Sequence, residues 1–377
     1  MDKPNVAIAL MTAGLLVGSA TAWGGMMIWG RRRTWLPWYP RRPVPWSAID
    51  LLVGLALLIA LGLSSHWVAR AIENTVLSKS SSNSRLFQEN PAGAGAVPRK
   101  SAQDQQSVGA RPGAEQHVSE IDRQQWRRRL VAEIIARLVW FFLMIALLRF
   151  LVHAGRQDLG WEPRLLPYDI SLGVIVFLMA APFIYGLQAI LLHYWPKQHP
   201  LIELLQQTDD AWIWGLTAIS VVVVAPVVEE FAFRVLLQGW MEKVLHLADV
   251  LPGPRTITAE GSDIISGAAA FSAQENRPAK PDAPPKSTTT QVTAETDVGH
   301  SSVSALRRGS IAIVCSASVF SVLHADHGPA WIPLFFLGIL LGYLYLKTHR
   351  VAPCMVLHGM LNGCSFLLLM ISQHGAK

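Results

Sequence analysis

Three apolar stretches of this 377-residue chain each hold side chains that could do chemistry on an amide. In the first, Val221-Val-Val-Val-Ala-Pro-Val-Val leads into Glu229 and Glu230, and Arg234 follows four residues later. A charged side chain at bilayer depth costs about 2.5–3.5 kcal/mol on insertion scales, so such groups persist where they pair or work. Glu230 and Arg234 share a helix face and can neutralise one another. Glu229 is rotated from Glu230 by about 100° and stays available to a cavity. The plain alternative is an ion cluster that locks two helices together.

The second stretch ends in Phe320-Ser-Val-Leu-His324, with Phe320 one turn before the imidazole, where it could wall a site. Alone, such a histidine reads equally as an interfacial residue; Asp326 and His327 follow in a turn through Gly328 and Pro329. The third is His358-Gly-Met-Leu-Asn362-Gly, whose i,i+4 spacing puts imidazole and carboxamide on one face, with room beside Gly359 and Gly363. Its plain alternative is interhelical hydrogen bonding. Together the three supply a free carboxylate, two imidazoles and an amide. A carboxylate and a histidine can hold and deprotonate water, and a histidine and an asparagine can donate to a developing oxyanion. Glu229, His324 and His358 could instead ligate zinc with one position open. Either arrangement points to hydrolysis of an amide inside a membrane. The chain has no Gly-x-Ser-x-Gly elbow and no His-Glu-x-x-His helix to compete.

Hydrophobic residues make up 51% of the chain and charged residues 15%, too apolar for an ordinary soluble domain. The composition predicts an all-α, polytopic membrane helix bundle of about eight transmembrane helices. Residues 1–70 read as two spans with a basic loop (Arg31, Arg32, Arg33, Arg41, Arg42), whose Trp35, Trp38, Tyr39 and Trp46 suit the headgroup layer. Residues 71–129 read as a low-complexity connector and 130–247 as spans carrying the Glu-Glu motif. Residues 248–308 form a Pro/Ser/Thr-rich insert with the composition of a disordered linker. Residues 309–377 carry the two histidine motifs. Pro182 is predicted to kink the fourth span. Gly14 with Gly18, and Gly338 with Gly342, mark close helix approach.

The net charge of +6 lies beside apolar spans and forms no basic, aromatic-lined face, which excludes nucleic acid as a partner. The partners expected are the lipid bilayer and a peptide or protein. Cys315, Cys354 and Cys364 are packing residues at no metal-knuckle spacing. The positive-inside rule puts the N-terminus outside an integral membrane protein of the plasma (inner) membrane. Arg127, Arg128 and Arg129 run against that orientation.

Depth arithmetic constrains the fifth span. Were it to end near Val228, His324 in an opposite-running helix would lie about 22 Å from Glu229. The two share a depth only if the helix continues through Met241, with Pro226 bending it.

Glu229-Glu230-x-x-x-Arg234, Phe320-x-x-x-His324 and His358-x-x-x-Asn362 resemble the three-motif signature of the CAAX-protease and bacteriocin-processing family of intramembrane endopeptidases (CPBP, also called metalloproteases). The resemblance covers the chain from about Ala211 onward. It implies a bundle around an intramembrane chamber in which Glu229 and His324 activate water while His358 and Asn362 stabilise the oxyanion. It leaves the zinc alternative open. Val235 stands where the family commonly has glycine. Two other functions fit the same fold: a non-catalytic immunity or peptide-sequestering membrane protein, and a proton-coupled transporter.

Overall fold

In a bilayer every backbone polar group must be satisfied within the protein, so apolar runs of this length become helices. The structure, a computed structural model, describes residues 3–30, 36, 43–64, 120–195, 202, 205–206, 208–250 and 295–374. Its long elements are α1 (Lys3–Gly30), α2 (Ala48–Ser64), α3 (Glu120–Phe150), α4 (Leu166–Tyr194), α5 (211–250), α6 (Glu295–Val322), α7 (Trp331–Thr348) and α8 (Ala352–His374). No strand occurs among the described residues.

The protein is thus an all-α polytopic bundle, as its composition predicts, but the spans are not equal. Among the described residues, six helices are long and apolar enough to cross a membrane, whereas Ala48–Ser64 and the apolar part of α6, Gly309–Val322, are shorter. The outward faces are apolar, as lipid requires: Leu10 and Val17 of α1, Ile49 of α2 and Phe150 of α3 are all exposed. The buried core joins Trp140 and Met144 of α3, Val176 and Phe177 of α4, Phe231 and Val235 of α5, Leu341 of α7 and Leu357 of α8.

Small residues set the closest approaches. A Cβ on Gly173 would lie 2.7 Å from Val356 Cβ and 2.8 Å from Pro353 O, so α4 and α8 touch backbone to backbone. Gly338 does the same for α6, where its Cβ would stand 2.9 Å from Ala317 Cβ, and Gly342 lies against Ile313. On α1, Gly18 receives Leu178, while nothing approaches Gly14 within 4 Å. The α7 pair therefore works as expected and the α1 pair only by half.

Several boundaries move. α3 begins at Glu120, ten residues before the expected span, because its polar first turns are held by Arg127, which salt-bridges Asp210 at the start of α5. The insert placed at 248–308 is helical at 248–250 and again from Glu295; residues 251–294 lie outside the described residues, as do 71–119 of the connector. α4 runs through Pro182 without ending. Trp46 is not a headgroup residue. It is fully buried in the core, and its indole Nε1 donates to Leu236 O at 3.1 Å. Lys243 Nζ fixes the same segment by donating to Trp46 O at 2.8 Å. Trp35, Trp38 and Tyr39 lie outside the described residues.

α5 extends past Met241, as the depth arithmetic requires, but it is not one regular helix. It runs as an α-helix over Ala211–Ala218, as a π-helix over Ile219–Val224, as α over Ala225–Glu230, as π over Phe231–Gln238, and as α over Gly239–Val250. Asp210 caps its start, accepting from Trp212 N at 2.9 Å and Ile213 N at 3.4 Å.

Candidate active site

The two carboxylates stand at the end of a short α-helical turn between two π-helical stretches. A π turn carries an extra residue and re-aims the side chains on either side of it, which is why such turns gather at functional sites. The arrangement separates the neighbours completely. Glu230 has no exposure, while the Glu229 side chain keeps 24%.

Glu230 is served on both oxygens. Arg234 Nε donates to Oε2 at 3.0 Å, the i,i+4 pair expected from spacing. His358 Nδ1 lies 2.9 Å from Oε1. Since a carboxylate accepts, that contact puts the proton on Nδ1 and leaves Nε2 as the other titrating nitrogen of His358. Nε2 lies 3.9 Å from Glu229 Oε2, too long for a direct hydrogen bond and short enough that one water beside the pair could contact both. His358 therefore reaches both glutamates, one through each ring nitrogen.

Around this trio the second ring is α6. Arg234 Nη1 donates to Ser316 Oγ at 3.3 Å, and Ser316 Oγ donates on to Phe233 O at 3.0 Å. The Phe320 ring is fully buried and lies 5.7 Å from the Arg234 guanidinium carbon, 5.9 Å from the His358 ring and 4.8 Å from the His324 ring. It is the wall expected from its position and the common neighbour of both histidines. His324 is not within α6. The helix ends at Val322, and His324 turns its ring back so that Nδ1 donates to Phe320 O at 2.8 Å. One of the last carbonyls of α6 is satisfied this way, and the lone pair of His324 falls to Nε2.

Asn362 is aimed at the backbone of α5: its Nδ2 donates to Val221 O at 2.9 Å. A Cβ on Gly359 would stand 2.9 Å from Val222 O, so α8 lies against two successive carbonyls of the first π stretch. The glycine spacing beside His358 and Asn362 anticipated this room.

A zinc site would need three of these donors to converge on one point. Glu229 and His358 face one another, and the Glu230 bond to His358 Nδ1 is of the kind that orients a ligating imidazole. Among the described residues, however, no group of three or more His, Cys, Asp or Glu side chains is arranged to hold a metal ion. The set Glu229, His324 and His358 does not close into a zinc site in this geometry.

Sequence reasoning brought Glu229, Glu230, Arg234, Phe320 and His358 to one place. It missed the Glu230–His358 bond and the role of Ser316. A serine in an apolar run one turn before Phe320 was the available signal.

Residues 297–364 match the family model of Type II CAAX prenyl endopeptidase Rce1-like proteins. The matched stretch includes Phe320, His324, His358 and Asn362 and supports the family resemblance drawn from the motifs. Glu229, Glu230 and Arg234 precede it. No curated protein and no solved structure matches the chain.

Proposed function

We propose that this integral membrane protein is an intramembrane endopeptidase of the CAAX type, hydrolysing a peptide bond by water that Glu229 activates. The observation that carries the proposal is the Glu229–His358 gap of 3.9 Å beside a fully buried Glu230–Arg234 pair. One carboxylate is neutralised and serves as structure. The other is partly open and stands 3.9 Å from the His358 imidazole, close enough for one water beside the pair to touch both.

In the proposed reaction Glu229 takes a proton from water while the oxygen attacks the scissile carbonyl. His358, held by Glu230, donates from Nε2 to the oxyanion when protonated. His324 holds the water through Nε2. Asn362 stands on the same α8 face as His358; the family resemblance implies an oxyanion donor there, but its Nδ2 is engaged with Val221 O, and the reaction does not require it. The proton taken by Glu229 passes to the departing amine as the C–N bond breaks, so water is added across the bond and no other reactant is consumed. General-base assistance of this kind is worth about 10²–10⁴-fold and a single oxyanion donor about 10²–10³-fold. A zinc held by Glu229, His324 and His358 would need side-chain rearrangement. The proposal further places the N-terminus outside the plasma membrane, with Lys243, Lys347 and Arg350 towards the cytoplasm.

The test is the purified full-length chain with Glu229→Gln, which keeps shape and hydrogen bonding but removes the base. A quenched fluorescent peptide with a farnesylated cysteine near its C-terminus serves as one probe, and the same peptide without the lipid as the other. Loss of cleavage supports the proposal. Wild-type rates in the variant would refute the assignment, and peptide binding that survives without cleavage in either protein would favour a sequestering protein. Proton-driven uptake by reconstituted vesicles would favour a transporter. Metal analysis after chelator treatment, beside the same assay, tests zinc.

A further inference from the structure

The first π stretch of α5 ends at Val224, two residues before Pro226, and this creates a specific deficit. Ala225 N–H bonds to Ser220 O, five residues back. The next N–H in that register would belong to Pro226 and would serve Val221 O, but proline has none. An unserved carbonyl at bilayer depth is expensive, since no water is there to pair with it. α8 supplies what is missing. Asn362 Nδ2 donates to Val221 O at 2.9 Å. Gly359, three residues earlier on the same face, brings its backbone against Val222 O, where a Cβ would stand 2.9 Å away. His358, its neighbour, takes Glu230 eight residues after Val222.

We infer that Asn362 is a positioning residue, which completes the α5 backbone at the Val221 carbonyl that Pro226 leaves without a donor. Its action on catalysis is indirect. The extra residue of the π turn sets the rotation of everything after it, and losing that turn re-registers the helix by one residue, about 100°. Glu229 would then swing away from His358 Nε2. Asn362 holds the bulge, and the bulge holds Glu229. The motif His358-Gly-x-x-Asn362 is therefore a template for α5 as much as a set of reacting groups. This differs from a role as oxyanion donor, which needs the carboxamide N–H directed at substrate. The inference rests on the proposed endopeptidase function for its kinetic readout alone.

The experiment is a double-mutant cycle on the full chain in detergent: wild type, Asn362→Leu, Pro226→Ala, and the two combined. Each protein is measured for kcat and KM on the farnesylated fluorescent peptide and for its melting temperature. Asn362→Leu is expected to lower kcat by about 100-fold, the scale on which a slightly misplaced catalytic group is felt, with KM little changed. In the combined variant the alanine that replaces Pro226 restores the N–H that serves Val221 O, so most of the lost kcat and of the lost melting temperature returns. Equal losses from Asn362→Leu in both backgrounds would overturn the inference and make Asn362 a donor to the oxyanion. Should the wild type cleave neither probe, the proposed function fails separately. The melting temperatures still decide this point: recovery in the combined variant supports it, and additive losses refute it.

Discussion

His358 Nδ1 lies 2.9 Å from Glu230 Oε1, and the opposite oxygen of that carboxylate takes Arg234 Nε at 3.0 Å. Glu230 thus bridges a cation on its own helix to an imidazole on α8 while fully buried. Buried ion pairs gain little over an apolar replacement, but breaking one leaves a charge stranded. The asymmetry between the two adjacent glutamates follows. Glu230 holds the helices and the ring in place, and Glu229, a third of a turn away, stays partly exposed, as the proposed reaction requires.

Glu230→Gln and Glu229→Gln are expected to separate stability from activity. The first leaves the Arg234 charge buried without its counter-ion, a fault worth about 3–5 kcal/mol, and should lower the melting temperature markedly. The second removes a partly exposed charge and should leave the melting temperature near that of the wild type while cleavage is lost. Thermal unfolding in detergent, run beside the peptide assay, checks both. Equal destabilisation by the two variants would contradict the division of roles.

Gly359→Ala is expected to destabilise the bundle by about 1–3 kcal/mol, because the new Cβ meets Val222 O at 2.9 Å and backbone cannot move aside cheaply. Gly14→Ala is the control: nothing lies within 4 Å of its Cβ, and alanine is the better helix former. The melting temperature should fall in the first and hold or rise in the second.

Asp210 makes stability depend on pH at the start of α5. Burial pushes its carboxyl up, but the Arg127 guanidinium and the N–H groups of Trp212 and Ile213 outweigh that and hold it below its ordinary value. A depressed carboxyl stabilises the fold above its unfolded pKa of about 3.9, and the contribution is lost as pH falls through the folded value. The wild type should therefore lose more melting temperature than Asp210→Asn between neutral pH and below about pH 4. At neutral pH the variant should be the less stable by about 1 kcal/mol, the usual worth of an N-cap. Parallel pH profiles for the two proteins would refute the role.

Much of the site could be read before the fold because charge in an apolar run is conspicuous. Glu229, Glu230 and Arg234 announce themselves by cost, and the depth mismatch with His324 required α5 to continue beyond Met241. The π stretches could not be read. A five-residue register leaves no compositional mark, and Val221–Val224 looks like any apolar helix; only the pairing of Pro226 with Asn362 on another helix betrays it. The Glu230–His358 bond was hidden for a related reason, since Arg234 at i+4 already accounts for one carboxylate oxygen. His324 reads as helical by hydropathy, yet the helix ends two residues earlier and the ring serves as its cap. Trp46 stands among arginines, which suggested a headgroup residue.

That tryptophan carries a further prediction. Trp46 is fully buried, and its Nε1 donates to Leu236 O inside the second π stretch of α5. The same carbonyl also receives Gly239 N–H, so the indole is one of two donors there. Trp46→Phe keeps most of the ring and removes the donor, and should cost about 1 kcal/mol. Trp46→Ala adds a cavity and should cost about 3–5 kcal/mol. If the indole bond steadies the turn that follows Glu230, the Phe variant should also lose cleavage out of proportion to its small loss of stability. The measurement is kcat on the farnesylated peptide beside the melting temperature, with Lys243→Met as the companion. Lys243 Nζ donates to the carbonyls of Pro45 and Trp46, so its loss frees the same segment without touching the ring. A fall in kcat shared by both variants would assign this segment to positioning α5, whereas unchanged kcat in both would leave it a packing element only.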